Sequence, residues 1–529
     1  WALLGAGLVL CLGGALLNNR WMLDRFVDLP LPAAALEVKA KDLVRELGQD
    51  APAGDRAHGF KSDRKGIEWI GKNDQSVDRW ETLRDIRPSP LEFWYRQSPE
   101  TMLAWPNFSV VSYDRPPQDV SGMARVALDP RGRLDSFEAV PAAYDDSKGP
   151  WPSPDWSLLF GRAGLDISTF KEVPPVWTPA MASDVQAAWE GPDPERPDLT
   201  LHVEAAGYHG RPVSFALRGP WVKPPKMGSG KLGLLEWIQR DLGLALLTIG
   251  VLAVGIFLAR RNVKAGRGDT RGALRLAFWF FIAHTIVWAL WVSHVPDLNI
   301  EWKIIQADVG YNLFLAANLG LLYLGLEPYV RRRWPDSIIS WSRILRGRFK
   351  DPLVGRDTLV GGILGGVFIL LTQSGYIGAT LLGRPFPEPE GMNILMLGSV
   401  TSAVGRTLDI GVHALLDVMR VLFLLLLLRI LLRRLWLAVP VFVVCFTLIV
   451  GSQANGMPLV IWPVTILMVS IFTYVLIRHG LVAATVGSFV IAAMKDLGLR
   501  ADLTLWYAPQ QLVPVIAVVA LLVWGFKNS

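Results

Sequence analysis

RRRWPDSIISWSRILRGRFKDPLVGRD, residues 331–357, carries eight basic side chains between two long apolar runs, and its reading sets the topology of the chain. The eight are Arg331, Arg332, Arg333, Arg343, Arg346, Arg348, Lys350 and Arg356. Pro335 and Asp336 supply a breaker and a cap. Beyond them Ile338, Trp341, Leu345 and Phe349 recur at three- and four-residue steps, while Arg343, Arg346 and Lys350 collect on another side. The spacing predicts an amphipathic helix lying on a membrane surface. Each basic head group gains roughly 1 kcal/mol beside anionic lipids, so lipids are the expected partner of this belt. No groove-reading motif accompanies the charge, which argues against nucleic acid. PLVGRD has no GK[ST] and no glycine-rich phosphate cradle, which argues against a nucleotide loop.

Working outward, apolar runs occupy about 1–17, 242–258, 276–293, 304–326, 358–376, 411–428, 435–452, 457–477, 481–494 and 511–525. The chain has 529 residues, 51% of them hydrophobic and only 19% charged, with 22 tryptophans and a mean hydropathy of +0.32. Such clustering is that of a membrane protein rather than a soluble enzyme. The expected fold is a polytopic α-helical membrane protein of about ten spans. It opens at Trp1 without a methionine or a basic n-region, so 1–17 reads as the first span of a longer chain rather than as a signal peptide.

Charge sets the orientation. Residues 18–236 hold 27 Lys+Arg against 32 Asp+Glu, whereas the remainder holds 26 against 15. The excess falls in alternate loops. Residues 259–275 have six basic groups and one acid, and 327–357 have eight basic and four acidic groups. Arg429, Arg433, Arg434 and Arg478 have the same parity, and the intervening loops are neutral or acidic. By the positive-inside rule the basic loops are cytoplasmic. Residues 18–236 then form an extracytoplasmic α+β domain between the first and second spans. Spans two to four fall in 237–326, the basic cytoplasmic segment in 327–357, and spans five to ten in 358–529.

Within 18–236, AAALEVKAKDLVRELG (33–48) puts Leu36, Ala40, Leu43, Val44 and Leu47 on one helix face and stops at Gly48. GMARVALDPRGRLDSFEAV (122–140) reads as a hairpin about Pro-Arg-Gly, and LTLHVEAAGYHGRPVSFALRG (199–219) as a second, turning at Tyr208-His209-Gly210. With the helix-like WSLLFGRAGLD (156–166) before the latter, two helix-plus-hairpin modules are expected. Cys11 and Cys445 both lie in apolar runs, so this domain has no disulfide to rely on.

Chemical motifs are sparse. GxSxG, HExxH, paired CxxC, Walker and kinase signatures are absent, so no catalytic residue is expected. His202, Glu204 and His209 are weak metal candidates, solvent exposure on a strand being the ordinary explanation, and no cofactor is expected. HALLDVMRVLFLLLLLR (413–429) places His413, Asp417 and Arg420 on one face of a span, and His284 lies in another. Ionisable groups at such depth form a candidate intramembrane polar site, against the plainer reading of Asp417 and Arg420 as a structural pair. GGILGGVF (361–368) is a small-residue pattern that favours close helix packing. A transporter or scaffold would use His413, Asp417, Arg420 and Asp308 along a path. An intramembrane protease of the CPBP type would need paired glutamates that are missing.

The strings LEFWYRQSPE, VSGMARVALDPRGRLDSFEAVP, PDWSLLFGRAGLD, VEAAGYHGRPVSFALRGPW, YLGLEPYVRRRWPDSIISWSRILRGRFKDPLVGRD, LIRHGLVAA and LTLWYAP span nearly the whole chain. Together they resemble the C-terminal membrane region of bacterial serine/threonine protein kinases of the Acidobacteria type. That resemblance implies a multi-pass protein of the bacterial inner membrane, with a sensory, regulatory or anchoring role. The kinase domain, with its ATP and Mg²⁺, would precede Trp1. A homo-oligomer or a larger membrane complex is a further possible assembly. The strings carry no kinase chemistry, so no catalytic role transfers to any residue.

Overall fold

A computed structural model describes residues 1–49, 52–103, 110–146, 149–222, 243–292, 294–295, 297–383, 388–391, 393–451, 458–495, 499–500 and 502–529. Helix α1 (Ala2–Asn18) leads through the short α2 (Leu23–Phe26) into a sheet domain. This contains α3 (Ala33–Glu46), β1 (Asp55–Ser62), α4 (Lys65–Asn73), β2 (Leu91–Ser98), β3 (Ala124–Leu128), β4 (Leu134–Ala139), α5 (Trp156–Arg162), β5 (Lys171–Val173), β6 (Val185–Pro192), β7 (Thr200–Tyr208) and β8 (Arg211–Arg218). The eight strands form one antiparallel sheet in the order β1-β2-β3-β4-β8-β7-β6-β5. Its second half therefore repeats the first in reverse, and the two halves meet where Phe137 pairs with Phe215.

The expected helix runs Ala33–Glu46, buries Leu36, Ala40, Leu43 and Val44, and is stopped by Gly48 at φ +76°. Both expected hairpins form. The second turns through His209 (φ 50°) and Gly210 (φ 76°), a left-handed pair that suits the twist of a two-residue hairpin. The strands β1, β2, β5 and β6 escape the periodic reading. All eight residues of β2 are buried, Glu92, Arg96 and Gln97 among them, so the chain shows no alternation there. On one sheet face, α3 and α5 close a core that includes Phe60, Phe93, Val126, Phe137 and Phe215. Phe160 of α5 stands edge-on to Trp189 at 5.2 Å and to Phe215 at 6.2 Å. Burial pushes the Glu92 carboxyl up to about 7 despite Lys61 at 3.0 Å.

The second part is a helical bundle of α6 (Gly243–Lys264), α7 (Thr270–Trp291), α8 (Leu298–Arg333), α9 (Asp336–Leu345), α10 (Pro352–Leu381), α11 (Val400–Leu432), α12 (Leu435–Gly451), α13 (Pro458–Arg478), α14 (Gly480–Lys495) and α15 (Ala508–Lys527), joined by α1. Among the described residues five helices are long and apolar enough to cross a membrane: α7, α8, α10, α13 (from Ile461) and α15. Shorter apolar helices cover Ala2–Asn18, Leu435–Leu448 and Gly480–Lys495. The central helix is α10, and GGILGGVF explains why. A Cβ at Gly361 would lie 2.5 Å from the Ala483 carbonyl oxygen of α14, and one at Gly366 would lie 2.5 Å from Leu10 Cβ of α1. Glycines on different sides of one helix thus admit two neighbours to backbone contact.

Segment 327–357 is built differently from its expected outline. Arg331, Arg332 and Arg333 form the last turn of α8, where cations suit the carbonyl end of a helix. Helix α9 starts where the breaker was expected, but Pro335 rather than Asp336 holds the cap position, with no side-chain cap bond and Asp336 in the first turn; it ends at Leu345, and Gly347 at φ +79° turns the chain away. Phe349 and Lys350 therefore lie outside it, and Phe349 is 53% exposed. PLVGRD opens α10: the Asp351 side chain accepts from Leu353 N at 3.0 Å, Pro352 follows, and buried Asp357 accepts from Ser340 Oγ. Among the belt arginines, Arg331 pairs with Glu327 and Arg343 with Asp351.

The sheet domain sits on the end of the bundle opposite the basic loops, and its core continues into that end. Leu397 and Tyr507, which lie beside the starts of α11 and α15, belong to the same buried cluster as Phe60 and Phe93. Trp506 stacks on Phe60 at 6.0 Å and donates through Nε1 to the Leu29 carbonyl at 2.9 Å. Arg500 holds buried Asp24, whose carboxyl burial raises while the guanidinium opposes. Leu23 N donates to the Glu390 carbonyl and Glu390 N to that of Trp21, at 2.9 and 2.8 Å.

Candidate functional site in the helical bundle

Ser399 caps α11, its Oγ accepting from Ser402 N at 3.0 Å. From that start Arg406, Asp409, His413, Asp417 and Arg420 follow at three- and four-residue steps and so share one side of the helix. Asp409 is the centre of the group. One carboxylate oxygen lies 2.9 Å from His413 Nδ1 and the other 2.6 Å from Arg406 Nη1. Asp417 and Arg420 pair with each other at 3.0 Å, their side chains 57% and 39% exposed.

Of the four residues expected to form an intramembrane polar site, the fold brings His284 and His413 together. Their rings, on α7 and α11, are 5.1 Å apart. Asp417 and Arg420 lie further along α11 as a separate ion pair. Asp409, which the sequence reading passed over, replaces them: ligand atoms of His284, Asp409 and His413 all lie within 4.8 Å of one another. The signal for it was present as a D-x-x-x-H spacing, one helical turn. Helix α8 adds Asp308 and Asn312, buried at 8% and 1% exposure. Neither Asp308 Oδ2 nor either Asn312 amide atom makes a well-formed hydrogen bond among the described residues, though the Trp288 indole stands beside Asp308 and the His284 ring beside Asn312.

Two cavities lie beside this side of α11, the smaller of them against the cluster. One of about 300 Å³ is lined by Arg406, Asp409, His413, Asp417 and Ser488. The other, of about 630 Å³, shares Asp417 and Ser488 with it and runs towards the sheet domain. Phe368, Phe442, Phe446 and Met468 supply apolar wall, while Arg64, Tyr376, Glu388, Glu390 and Lys495 make it polar. An apolar body with a few convergent polar groups is the usual character of a small-molecule site.

The weak metal candidates on the sheet do not converge. His202 lies near the start of β7 and His209 in the turn just past its end, seven residues or roughly 23 Å apart. His202 lies between Glu190 and Glu204, at 3.2 and 2.8 Å, and Glu204 also accepts from the backbone N–H groups of Val176 and Trp177. His209 pairs with Asp145 at 2.8 Å and stacks on Trp151. Each is accounted for by local structure.

Cys11 and Cys445 are free thiols, so neither supplies a disulfide to the sheet domain. Comparison with protein-family models, with curated proteins and with solved structures finds no match to this chain in any of the three.

Proposed function

We propose that the chain is the membrane-embedded sensory and regulatory region of a receptor-like bacterial serine/threonine protein kinase. In this reading it crosses the inner membrane about ten times, and the sheet domain lies on the extracytoplasmic side. The basic loops, Arg331 to Arg333, Arg343, Arg346, Arg348 and Lys350 included, face the cytoplasm and anionic lipids. The kinase domain precedes α1 and binds ATP and Mg²⁺.

The observation that carries the reading is the continuity of the sheet core with the bundle end through Leu397 and Tyr507. A sensor tethered only by a linker would pass nothing to the helices. Here a shift of the sheet acts on the starts of α11 and α15 and on α1, because packed interfaces have discrete arrangements rather than continuous ones. Helix α1 packs against α10, and its first half also meets α15, where the Trp1 and Phe526 rings are 4.6 Å apart. A change at the sheet end therefore has a route to the opposite face.

The test uses the full-length protein in nanodiscs with ATP and Mg²⁺. Autophosphorylation on serine or threonine is expected, and Arg500→Ala with Trp506→Ala, which loosens the seam, should change its rate at least about threefold, roughly 0.7 kcal/mol of coupling. Absence of phosphotransfer, or a rate indifferent to the loosened seam, would refute the proposal.

One observation favours a second reading, a transporter-like or scaffold role: the large cavity that reaches Asp417. Asp417→Ala should then abolish uptake of a cavity ligand while the protein still assembles. Unchanged uptake would exclude it.

A further inference from the structure

We propose that His284, Asp409 and His413 form a binding site for a divalent transition-metal ion inside the bundle, entered from the cavity beside α11 and α14. The proposal is independent of the kinase reading.

A plain ion pair explains only part of the cluster. His413 and Asp409 satisfy each other, and Arg406 satisfies the second oxygen of Asp409. His284 is left over. It is 7% exposed, and neither Nδ1 nor Nε2 makes a well-formed hydrogen bond among the described residues; the Asn312 amide of α8 stands beside the ring without closing one. Buried polar atoms are nearly always bonded, and each exception calls for a cause such as an ion. An ordinary core histidine would donate one ring N–H to a carbonyl and accept at the other nitrogen. This ring instead faces a second imidazole at 5.1 Å, with a carboxylate in reach. Two rings that close without a hydrogen bond between them are readily bridged by a cation.

The donor set selects the class of ion. Two imidazoles and one carboxylate are the ligands of Zn²⁺, Fe²⁺, Co²⁺ and similar ions. Ca²⁺ and Mg²⁺ require six or more ligands, nearly all oxygen. Atoms now within 4.8 Å have to close around metal–ligand bonds of about 2.0–2.2 Å, a side-chain adjustment rather than a helix movement. Arg406 restrains Asp409 from the side away from His413, as outer partners of metal ligands commonly do. The adjoining cavity of about 300 Å³ leaves room for the water molecules or ligand that three protein donors leave unprovided.

The experiment uses the full chain, purified in detergent, stripped with a chelator, and with Cys11 and Cys445 changed to alanine. Co²⁺ is the probe, because its visible absorption reports coordination. The expected result is uptake of one Co²⁺ per chain, displaced by Zn²⁺. His284→Gln and His413→Gln should each weaken binding at least about tenfold, whereas Arg420→Gln should not. A loss through misfolding is separated by His284→Cys, which keeps a donor at that position and must add a thiolate-to-cobalt charge-transfer band. No Co²⁺ uptake above that of a His284→Gln, His413→Gln double variant, or no such band in His284→Cys, would overturn the proposal.

Discussion

Gly361→Ala tests the seat of α10 most directly. The added methyl would stand 2.5 Å from the Ala483 carbonyl oxygen and 2.7 Å from Val486 Cβ. Carbon contacts are comfortable at about 3.5–4.0 Å, so α10 and α14 have to part by roughly 1 Å. A backbone oxygen and a Cβ cannot rotate out of the way, which puts the cost at the upper end of the usual overpacking range, about 3 kcal/mol. Alanine returns up to about 1 kcal/mol through helix propensity. A net loss of about 2 kcal/mol follows. Gly13→Ala in α1 is the internal control, since nothing lies within 4 Å of a Cβ there, and it should stabilise by about 0.5–1 kcal/mol. The same substitution thus carries opposite signs at two helical glycines. Unfolding of the detergent-solubilised protein by graded sodium dodecyl sulfate, followed by fluorescence of its 22 tryptophans, measures both. A Gly361→Ala variant as stable as the parent would refute the close approach of α10 and α14.

Glu92 should make the sheet domain less stable as pH rises from 5 to 8. Burial raises its folded pKa to about 7, so between the unfolded value and 7 the folded state holds a proton that the unfolded state has released. The loss amounts to at most about 3 kcal/mol. Glu92→Gln should flatten that part of the thermal-midpoint profile, and identical slopes in both proteins would disprove the assignment. Arg87 and Asp135 are both 1% exposed and 3.0 Å apart. Arg87→Met strands the carboxylate and should cost about 3–5 kcal/mol, while Arg87→Met with Asp135→Leu should recover most of it. If the single variant loses less than about 1 kcal/mol in chemical denaturation, the pair does not hold the sheet as described.

The elements that could be read in advance are those whose signal is local. The helix at 33–46 has a 3.6-residue apolar period and a glycine stop, and the hairpins at 124–139 and 200–218 have turn residues flanked by alternation. Strand β2 could not be read this way. Glu92 and Arg96 are buried by partners distant in sequence, Lys61 for one and the carbonyls of Ser112 and Pro116 for the other. The outline of 331–357 failed at its end for a local reason instead: Gly347 in the left-handed region stops α9 before the apolar period runs out.

Composition alone determined that this is a chain of long apolar helices with a polar domain after the first and with basic loops of alternate parity, because hydropathy and charge act on each segment separately. Tertiary structure decided which polar groups meet. His284 and His413 are 129 positions apart in sequence and adjacent only because α7 packs against α11. Asp409 and Asp417 stand one turn of α11 to either side of His413, and Asp409 completes the cluster because His284 of α7 meets it there, whereas Arg420 pairs with Asp417. The joining of sheet and bundle into one core was equally invisible. Tyr507 and Leu397 are ordinary interhelical residues until the fold places Phe60 and Phe93 over them.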